Sequence, residues 1–578
     1  MKHFAGLILL TAIVGCSGEA YYRRILQNPD DDFSCTILSE ETLRKYKGFR
    51  TSDFQEIVTV LKPGIHAPAE AMLEIPDTTK VIEIWGKKES TVEAHVDSLC
   101  KSRKHVDSPT PSLFQNEPEI VKIVDGGDQA NRIDVVFMGD GYQATERQAF
   151  FDDIARLTED MFNGATFRSY LPVFNIWAIY VQSVDSGIGY NGAKNTPFRL
   201  YREAGQLRGI FTGNAAYART VCRLTGTSGC DYPSLIGNDD YYGGLGGEFV
   251  ISTKSNRTGT VVLRHEMGHN FVNVGEEYDN GQVYSGVNAA RTLAAVGWRH
   301  WLSEGTAAVE ERAIYRLLQY PWADLSTGIR SFTFTSDGAY SRWYLLVSVS
   351  AAGEEDSLEF LLDGEVLPWA TRGFDDREFY DWRGTNGFTP GQHTFSVRSK
   401  TASTNPDIPR MICSITLHEF GSEAQFHLDN NWVSAYPTWD VSRQKTFRPT
   451  NAGCLMRNMT SNSFCPICKE GMWYQFLTRI SIIDSVAVGV VPNPDGSRPV
   501  ILNTLKLGQL REPGNEVEDE RLEVRWFRAG VEQTDLRDLF EVDAQAGSWT
   551  VQVDFKTPDI RNDPQGLTSE TEAFNVAP

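Results

Sequence analysis

Positive charge is scarce in this sequence. Its 578 residues include 55 Lys and Arg against 76 Asp and Glu, which gives a formal net charge of −21. A general nucleic-acid binder carries a basic patch, and attraction to an anionic membrane surface also requires basic residues. The acidic balance therefore argues against both kinds of partner.

Long hydrophobic runs are missing beyond the N-terminus. The run from Phe4 to Val14 is too short to span a bilayer, and it fits a secretory signal peptide over residues 1–20. No other stretch approaches 18 apolar residues, so we expect no transmembrane helix and a secreted protein. The alternative is a lipoprotein signal ending at Cys16, which would anchor the protein at the cell surface through lipid.

Cysteine is sparse, with nine in the chain. If Cys16 is removed with the signal peptide or carries lipid, eight cysteines remain. This even number fits disulfides in an oxidising compartment. The nearest pairs are Cys222 with Cys230, and Cys454 with Cys465 or Cys468. Cys465 and Cys468 form a Cys-x-x-Cys, which could be half of a zinc site or a redox motif. Since no second Cys-x-x-Cys completes a zinc knuckle, the disulfide interpretation is favoured.

Strands and helices alternate in the middle of the chain. Arg132 to Met138 predicts a buried strand, and Gly139 to Tyr142 predicts the tight turn after it. An amphipathic helix is predicted from Thr145 to about Asn163, and a further strand from Phe174 to Val181. This alternation indicates an α/β layer architecture.

The flanking regions have the short, alternating apolar runs typical of strands, and fixed-period repeats are absent. The length also predicts several domains. We divide the chain into a signal peptide at 1–20, an N-terminal β domain at 21–120, an α/β domain in two parts at 121–314 and 421–484, an inserted β-sandwich-like domain at 315–420 and a C-terminal β domain at 485–578.

The chemistry concentrates in His265-Glu266-Met267-Gly268-His269, within a predicted helix from Val261 to Val272. Histidines four residues apart lie on one helical face, so both imidazoles can reach one metal ion. Glu266 lies beside that ion, where its carboxylate can take a proton from a zinc-activated water. Imidazole and carboxylate ligands favour a single catalytic Zn²⁺ with an open position.

A catalytic zinc ion needs a third protein ligand. Glu276 and Glu277 follow His269 by seven and eight residues, after a stretch that ends the helix. A turn there would bring the chain back towards the metal. Either glutamate could supply the ligand on this argument.

Several motifs together resemble the IgA-peptidase family of zinc metallopeptidases. The longest is His265 to Asp279, which reads HEMGHNFVNVGEEYD. Gly139 to Tyr142, the glycine-rich segment before Phe249, and Cys454-Leu-Met-Arg457 with Phe464 to Cys468 are similar to that family too. The similarity covers about 120–300 and 430–480, in the right order.

The resemblance implies a metzincin-like α/β catalytic domain, and the strand patterns predict the β domains that interrupt and flank it. It implies zinc on His265, His269 and Glu276, where the family has Asp. Glu277 is the reserve ligand. Glu266 would be the general base, and Met456 would form the Met-turn beneath the metal.

Two further side chains are candidates for substrate contact or for support of a ligand. Tyr278 could stabilise an oxyanion or hydrogen-bond to a metal ligand, or it could simply pack after the loop. Asp140 could orient a ligand, although an Asp in such a turn commonly caps it. Residues 247–252 could form an edge strand that pairs with an extended peptide, or an internal strand.

These observations predict a secreted zinc endopeptidase that acts on protein or peptide substrates through a zinc-activated water. The alternative is a catalytically silent surface protein that binds glycans or proteins through its β domains. An intact Glu266 between two histidines argues against the alternative, because a silent scaffold need not keep the base.

Overall fold

The computed structural model describes most of the chain, and the described segments are 20–28, 34–43, 54–60, 80–105, 117–164, 166–203, 206–226, 228–279, 285–305, 313–318, 322–326, 328–403, 409–422, 427–440, 444–459 and 461–578. Residues 1–19 of the predicted signal peptide, with Cys16, and residues 106–116 lie outside the described residues, whereas Ala20 begins the first strand. Within them, no helix is both long enough and apolar enough to cross a membrane.

Helices are few, and strands build most of the fold. The α-helices of the described residues are α1 (Glu89–Leu99), α2 (Arg147–Asn163), α3 (Ala215–Cys222), α4 (Gly259–Phe271) and α5 (Pro466–Arg479). The strands form several separate sheets, so the chain is a multi-sheet α+β protein, as the sequence predicts in outline.

The N-terminal part is a five-stranded sheet in the order β3-β4-β1-β2-β5. Its strands are β1 (Ala20–Asn28), β2 (Ser34–Leu43), β3 (Phe54–Val60), β4 (Lys80–Gly86) and β5 (Ser102–His105). Helix α1 buries Val92 and Val96 against this sheet, which the sequence interpretation as β structure alone missed. A disulfide joins Cys35 to Cys100 at the end of α1.

The central sheet carries the α/β layers. Its order is β13-β12-β7-β8-β6, with β6 antiparallel and the other neighbours parallel. A three-stranded sheet, β11-β10-β9, lies beside it. The strands of this region are β6 (Glu119–Val124), β7 (Ile133–Asp140), β8 (Phe174–Tyr180), β9 (Gly189–Tyr190), β10 (Leu200–Glu203), β11 (Gln206–Thr212), β12 (Tyr232–Gly237) and β13 (Val250–Thr253).

Alternate residues of β7 face opposite layers, which follows from the two-residue repeat of a strand. Val135 and Phe137 pack with residues of α2, α4 and α5, whereas Val136 and Met138 pack with α3. The sheet is therefore covered on both faces, as its nearly uninterrupted apolar sequence requires. Next to α3, a disulfide joins Cys222 to Cys230, the local pair predicted from the sequence.

The region after α4 contains two sheets that share one hydrophobic core. One has the order β14-β22-β17-β20, with β15 also paired to β22, and the other has the order β16-β21-β18-β19. Their strands are β14 (Ala313–Leu318), β15 (Ala323–Asp324), β16 (Arg330–Ser336), β17 (Arg342–Ser350), β18 (Leu358–Leu362), β19 (Glu365–Leu367), β20 (Arg377–Gly384), β21 (Gly391–Ser399) and β22 (Met411–Phe420).

The chain then returns to the central layers through the hairpin of β23 (Tyr436–Trp439) and β24 (Lys445–Arg448), followed by α5. The C-terminal strands form two sheets, β25-β26-β29 and β28-β27-β30-β31. They are β25 (Ile483–Val488), β26 (Arg498–Thr504), β27 (Arg521–Arg528), β28 (Val531–Glu532), β29 (Glu541–Ala544), β30 (Gly547–Lys556) and β31 (Ser569–Val576). Their core is continuous with the one that covers the central sheet.

Candidate metal centre

Helix α4 presents two histidines on one face. His265 and His269 are four residues apart, and their ring centroids are 5.1 Å apart. His265 is fully buried, whereas the side chain of His269 keeps 17% of its surface exposed. The Nδ1 of His269 lies 3.1 Å from the carbonyl oxygen of Val274. A carbonyl only accepts, so this contact assigns the proton to Nδ1 and leaves Nε2 to face the centre.

Glu276 brings a carboxylate to both rings. The helix ends at Phe271, and the loop after it returns to the same face. Glu276 Oε1 lies 2.7 Å from His269 Nε2, and Glu276 Oε2 lies 3.4 Å from His265 Nε2. Glu276 is buried, so His265, His269 and Glu276 form a compact, closed-in set of three donors.

The charges of His265, His269 and Glu276 shift the pKa values of this site in the direction opposite to the shift caused by burial. Burial disfavours the protonated form of His265, but the Glu276 carboxylate outweighs it and raises the pKa of His265 to about 9. Burial likewise opposes ionisation of Glu276, and the two histidines together hold its pKa below the usual range. The carboxylate thus stays ionised between the rings, as a metal ligand must.

The neighbouring Glu277 points away from the histidines. Its Oε1 accepts a hydrogen bond of 2.8 Å from Asn288 Nδ2, and its backbone N–H donates to the carbonyl oxygen of Met456 at 3.0 Å. Asn288 also binds both the N–H and the carbonyl of Gly275. The loop is therefore fixed in a register that gives Glu276 to the histidines and turns Glu277 the other way.

Glu266 is buried on α4 beside the three donors, against the glycine-rich segment. A Cβ added at Gly246 would collide with Glu266 Oε2. Glycine at this position thus leaves the room that the carboxylate occupies. Asn270 Nδ2 donates to the carbonyl of Gly247 at 3.2 Å and ties the helix to the same segment. Burial raises the pKa of Glu266 above its ordinary value.

Met456 lies beneath α4, in the tight turn that begins at Cys454. A Cβ added at Gly268 would stand 3.4 Å from Met456 Sδ and 2.9 Å from the ring of Phe464. The glycine of the histidine motif thus allows the turn to approach the helix. Arg457, next in the chain, donates to the carbonyl of Glu277 at 3.0 Å and to Asp279 Oδ2 at 2.9 Å.

The two remaining candidates have different surroundings. Tyr278 is half-buried, and its ring stacks on His265 with centroids 6.5 Å apart. Asp140 is buried and accepts hydrogen bonds of 2.8 Å from Thr196 Oγ1 and from the N–H groups of Phe198 and Leu200. These contacts make Asp140 the anchor of a loop, and none of its described hydrogen bonds reaches the histidines.

The predicted edge strand exists as β13, at one end of the central sheet. Its outer side is partly used, because Ile251 forms a two-way backbone bridge with Leu245 of the glycine-rich segment. An extended peptide therefore cannot pair with β13 at Ile251 while this bridge is in place.

The prediction of a disulfide between Cys454 and either Cys465 or Cys468 was wrong. Cys454, Cys465 and Cys468 are all buried and unbridged. Their sulfur atoms are nevertheless close, at 3.5 Å between Cys465 and Cys468 and 3.8 Å between Cys454 and Cys468. Glu277 shares this cluster, which is separate from the histidine centre. The sequence interpretation looked for a second Cys-x-x-Cys as the other half of a zinc site. It therefore missed Glu277, which lies almost two hundred positions before Cys465.

Three supporting residues were also missed. Asp279 ends the histidine motif and Gly246 lies in the glycine-rich segment, but the sequence assigned a contact to neither, and Asn288 belongs to no motif. The glycine-rich stretch at 243–247 was a visible signal, since such a stretch often marks a close approach of backbone to another group. Asn288 lies well beyond the motif, and only the folded loop brings it back to Gly275 and Glu277.

Comparisons with solved structures give low similarity. A family 35 carbohydrate binding module from Clostridium thermocellum has 6% identity and a TM-score of 0.14, over 18% of this chain and 97% of that one. A similar module from Cellvibrio japonicus has 8% identity and a TM-score of 0.14, over 19% and 99%. A β-(1,4)-mannanase of Podospora anserina has 14% identity and a TM-score of 0.14, over 19% and 27%. No curated protein sequence matches the chain.

A family model, in contrast, matches the region that holds the histidine centre. Residues 121–294 match the model described as IgA Peptidase M64. That span contains the central sheet, α4 and the loop with Glu276 and Glu277, and it ends before the turn with Met456. The resemblance predicted from the motifs is thereby confirmed: residues 121–294 of this chain are similar to the IgA-peptidase family.

Proposed function

We propose that this protein is a zinc-dependent endopeptidase with one catalytic Zn²⁺ held by His265, His269 and Glu276. The observation that carries the proposal is the position of the Glu276 carboxylate, which faces both imidazoles of α4. The family match over residues 121–294 supports peptidase chemistry, and the donor set supports the metal. Glu277 is not the ligand in this proposal, because its carboxylate faces Asn288 and the cysteines.

The three donors fit zinc. With bonds of 2.0–2.2 Å, the nitrogen and oxygen ligands of a tetrahedral zinc ion stand about 3.4 Å apart. The separation of 3.4 Å between His265 Nε2 and Glu276 Oε2 has this value. The 2.7 Å between His269 Nε2 and Glu276 Oε1 is a hydrogen-bond distance, which would have to lengthen when both atoms bind the metal. Three protein ligands leave the fourth position open, as catalytic sites require.

In the proposed reaction the protein's own groups position and move the proton. When bound, zinc supplies a Lewis acid that polarises the scissile carbonyl and lowers the pKa of water. Glu266 accepts a proton from the attacking water and passes it to the leaving amine. The close fit of Gly246 and Glu266 fixes where that carboxylate lies. Tyr278 is the candidate to stabilise the developing oxyanion, because its ring stacks beside His265.

The same proposal includes the division into domains, a metzincin-like catalytic domain and an extracellular location. The proposed boundaries at 121, 315 and 485 each fall two residues after the start of a strand of a new sheet, and the boundary at 421 directly follows the end of β22, which supports the proposed division. The shared core of the two sheets after α4 supports a β-sandwich-like insertion, and the packing of Met456 under Gly268 supports a metzincin-like catalytic domain. The disulfides Cys35–Cys100 and Cys222–Cys230 support an oxidising, extracellular location.

The alternative, a silent surface protein that binds glycans or proteins, needs a scaffold without working chemistry. Here His265, Glu266 and His269 are all buried or half-buried around one point, together with Glu276. Burial of so many ionisable groups costs folding stability unless they are paired or bind a metal ion, and such clusters are typical of functional sites. The enzyme is therefore favoured, and glycan binding by the β regions stays a prediction.

The experiment compares two histidine variants for metal content and for hydrolysis of a mixed peptide library. His269→Ala removes a proposed ligand, so the His-bound zinc and peptide cleavage should both be lost. His300→Ala is the matched control, because His300 also contacts a glutamate, Glu470 at 2.6 Å, but lies outside the centre. Loss of neither metal nor activity in His269→Ala would rule out the proposed ligand set.

A further inference from the structure

We propose that Cys454, Cys465, Cys468 and Glu277 form a second, structural zinc site, which holds the loop that carries Glu276. The four residues come from three elements: the loop after α4, the turn with Met456 and the start of α5. Three thiolates and one carboxylate are a donor set that zinc accepts, and with four protein ligands the site is closed. This proposal does not depend on the proposed peptidase activity.

The distances match zinc coordination. With Zn–S bonds of about 2.3 Å, two sulfurs on a tetrahedral zinc ion stand about 3.8 Å apart. The observed sulfur separations are 3.8 Å for Cys454 with Cys468 and 3.5 Å for Cys465 with Cys468. All four donor atoms lie within 4.8 Å of one another. The sulfurs thus surround a common point instead of pairing.

Glu277 completes the set from the other side. It is fully buried, and its Oε1 is held by Asn288. Its Oε2 has no hydrogen-bond partner that meets the usual geometry among the described residues, and it lies beside the Cys454 thiol. A thiol is a weak donor and compensates a buried carboxylate oxygen poorly, whereas a metal ion would satisfy it.

The backbone around Cys465 is also arranged for a metal-bound sulfur. Cys465 is the residue immediately before α5, whose first residue is Pro466. The N–H groups of Ile467 and Cys468 point to the Cys465 sulfur, so the start of the helix favours negative charge there. Phe464 and Ile467 are buried in the same apolar core as the three cysteines. Hydrogen bonds to a metal ligand, like those of these N–H groups to the Cys465 sulfur, commonly orient the ligand.

The consequence for the histidine centre follows from chain connectivity. Glu276 and Glu277 are consecutive, so fixing one carboxylate restricts the other. The N–H of Glu277 also binds the carbonyl of Met456, two residues after Cys454. The second zinc would therefore couple the turn beneath α4 to the third catalytic ligand, and it would set the position of Glu276 without touching substrate.

The test counts metal and reads its ligands in full-length protein purified without chelator. We expect two zinc ions per chain, with an X-ray absorption signal that contains a Zn–S shell at about 2.3 Å. The double variant His265→Ala/His269→Ala should keep one zinc, bound mainly by sulfur. Cys468→Ala should lose the sulfur signal, whereas Cys413→Ala should keep it, since Cys413 is a buried free cysteine elsewhere in the fold.

The wild-type protein alone can overturn the proposal, even where Cys468→Ala fails to fold. Zinc without a sulfur shell would exclude the site. Mapping of a disulfide between any two of Cys454, Cys465 and Cys468, by alkylation and mass spectrometry without reductant, would do the same. Loss of the sulfur shell in the double histidine variant would show that the sulfur signal belongs to the histidine centre. A peptidase failure with an intact sulfur shell would refute only the proposed function.

Discussion

Glu276 and Glu277 are neighbours in sequence, but their carboxylates serve two different clusters. Glu276 faces His265 and His269, at 3.4 and 2.7 Å, whereas Glu277 accepts a hydrogen bond from Asn288 and faces three cysteines. Two consecutive residues therefore contribute their carboxylates to two different sites, one proposed to be catalytic and the other proposed to be structural.

This division predicts opposite metal losses for two conservative variants. Glu276→Gln removes the charged ligand that faces the histidines, so it should lose the zinc bound by nitrogen and oxygen. Hydrolysis should fall by at least about 100-fold, because even residues that only hydrogen-bond to a metal ligand commonly contribute about 10–100-fold. Glu277→Gln should lose the sulfur-bound zinc first. Metal counting with X-ray absorption distinguishes the two, and the same loss in both variants would contradict the division.

Gly246→Ala should damage activity without removing metal. The new Cβ collides with the free end of Glu266, so the carboxylate must move while the histidines stay in place. A displacement of about 1 Å at a catalytic group can cost on the order of 100-fold in rate. We therefore expect normal zinc content with a lower kcat.

Gly297→Ala is the control for that variant, because a Cβ there meets no atom within 4 Å. It should cleave peptides like the parent. Equal kcat for Gly246→Ala and the parent would show that Glu266 is not confined by the glycine-rich segment.

Tyr278→Phe isolates the hydroxyl from the ring that stacks on His265. If the hydroxyl stabilises the developing oxyanion, kcat should fall by about tenfold or more while KM and zinc content change little. Steady-state kinetics on one library-derived peptide gives both constants. A change in KM alone would assign Tyr278 to substrate binding.

The free energy of unfolding should depend on pH through the ionisation of Asp134, which lies outside the histidine motif. Burial raises the pKa of Asp134 to about 7, and the charge of Asp231 acts in the same direction. The folded protein therefore binds a proton between about pH 4 and 7 that the unfolded chain has released, so this group makes the protein less stable as the pH rises from about 4 to about 7, with no further loss above that range.

Asp134→Asn should flatten that dependence, because an amide keeps the acceptor for Trp177 Nε1 but does not titrate. Denaturant unfolding at pH 5 and pH 8 measures the effect, with the exposed Asp535→Asn as control. The variant should gain stability at pH 8 relative to the parent. An unchanged difference between the two pH values would exclude Asp134 as its source.

The sequence predicted the parts of the fold that follow from local periodicity. The strand at β7, the helices α2 and α4, and the local disulfide Cys222–Cys230 were all confirmed, because each depends on spacing within a few residues. Helix α1 was missed although Val92 and Val96 have helical spacing, since strands dominate the surrounding segment.

The candidate centre was predictable only in part. The helical spacing of His265 and His269 indicates a metal without further information, whereas the choice of Glu276 over Glu277 depended on the family resemblance. Neither the contact of Gly246 with Glu266 nor the meeting of Glu277 with Cys454 leaves a local pattern. Both join residues that are distant in the chain, so folding alone brings them together.

The most direct test of the central claim is hydrolysis of a mixed peptide library by the parent and by Glu266→Gln, with zinc counted in both. Gln keeps the size of Glu but cannot accept the proton, so the rate should fall by about 10²–10⁴-fold at unchanged zinc content. Cleavage by the parent alone is the predicted result. Equal cleavage by both proteins, each with its zinc in place, would contradict the account.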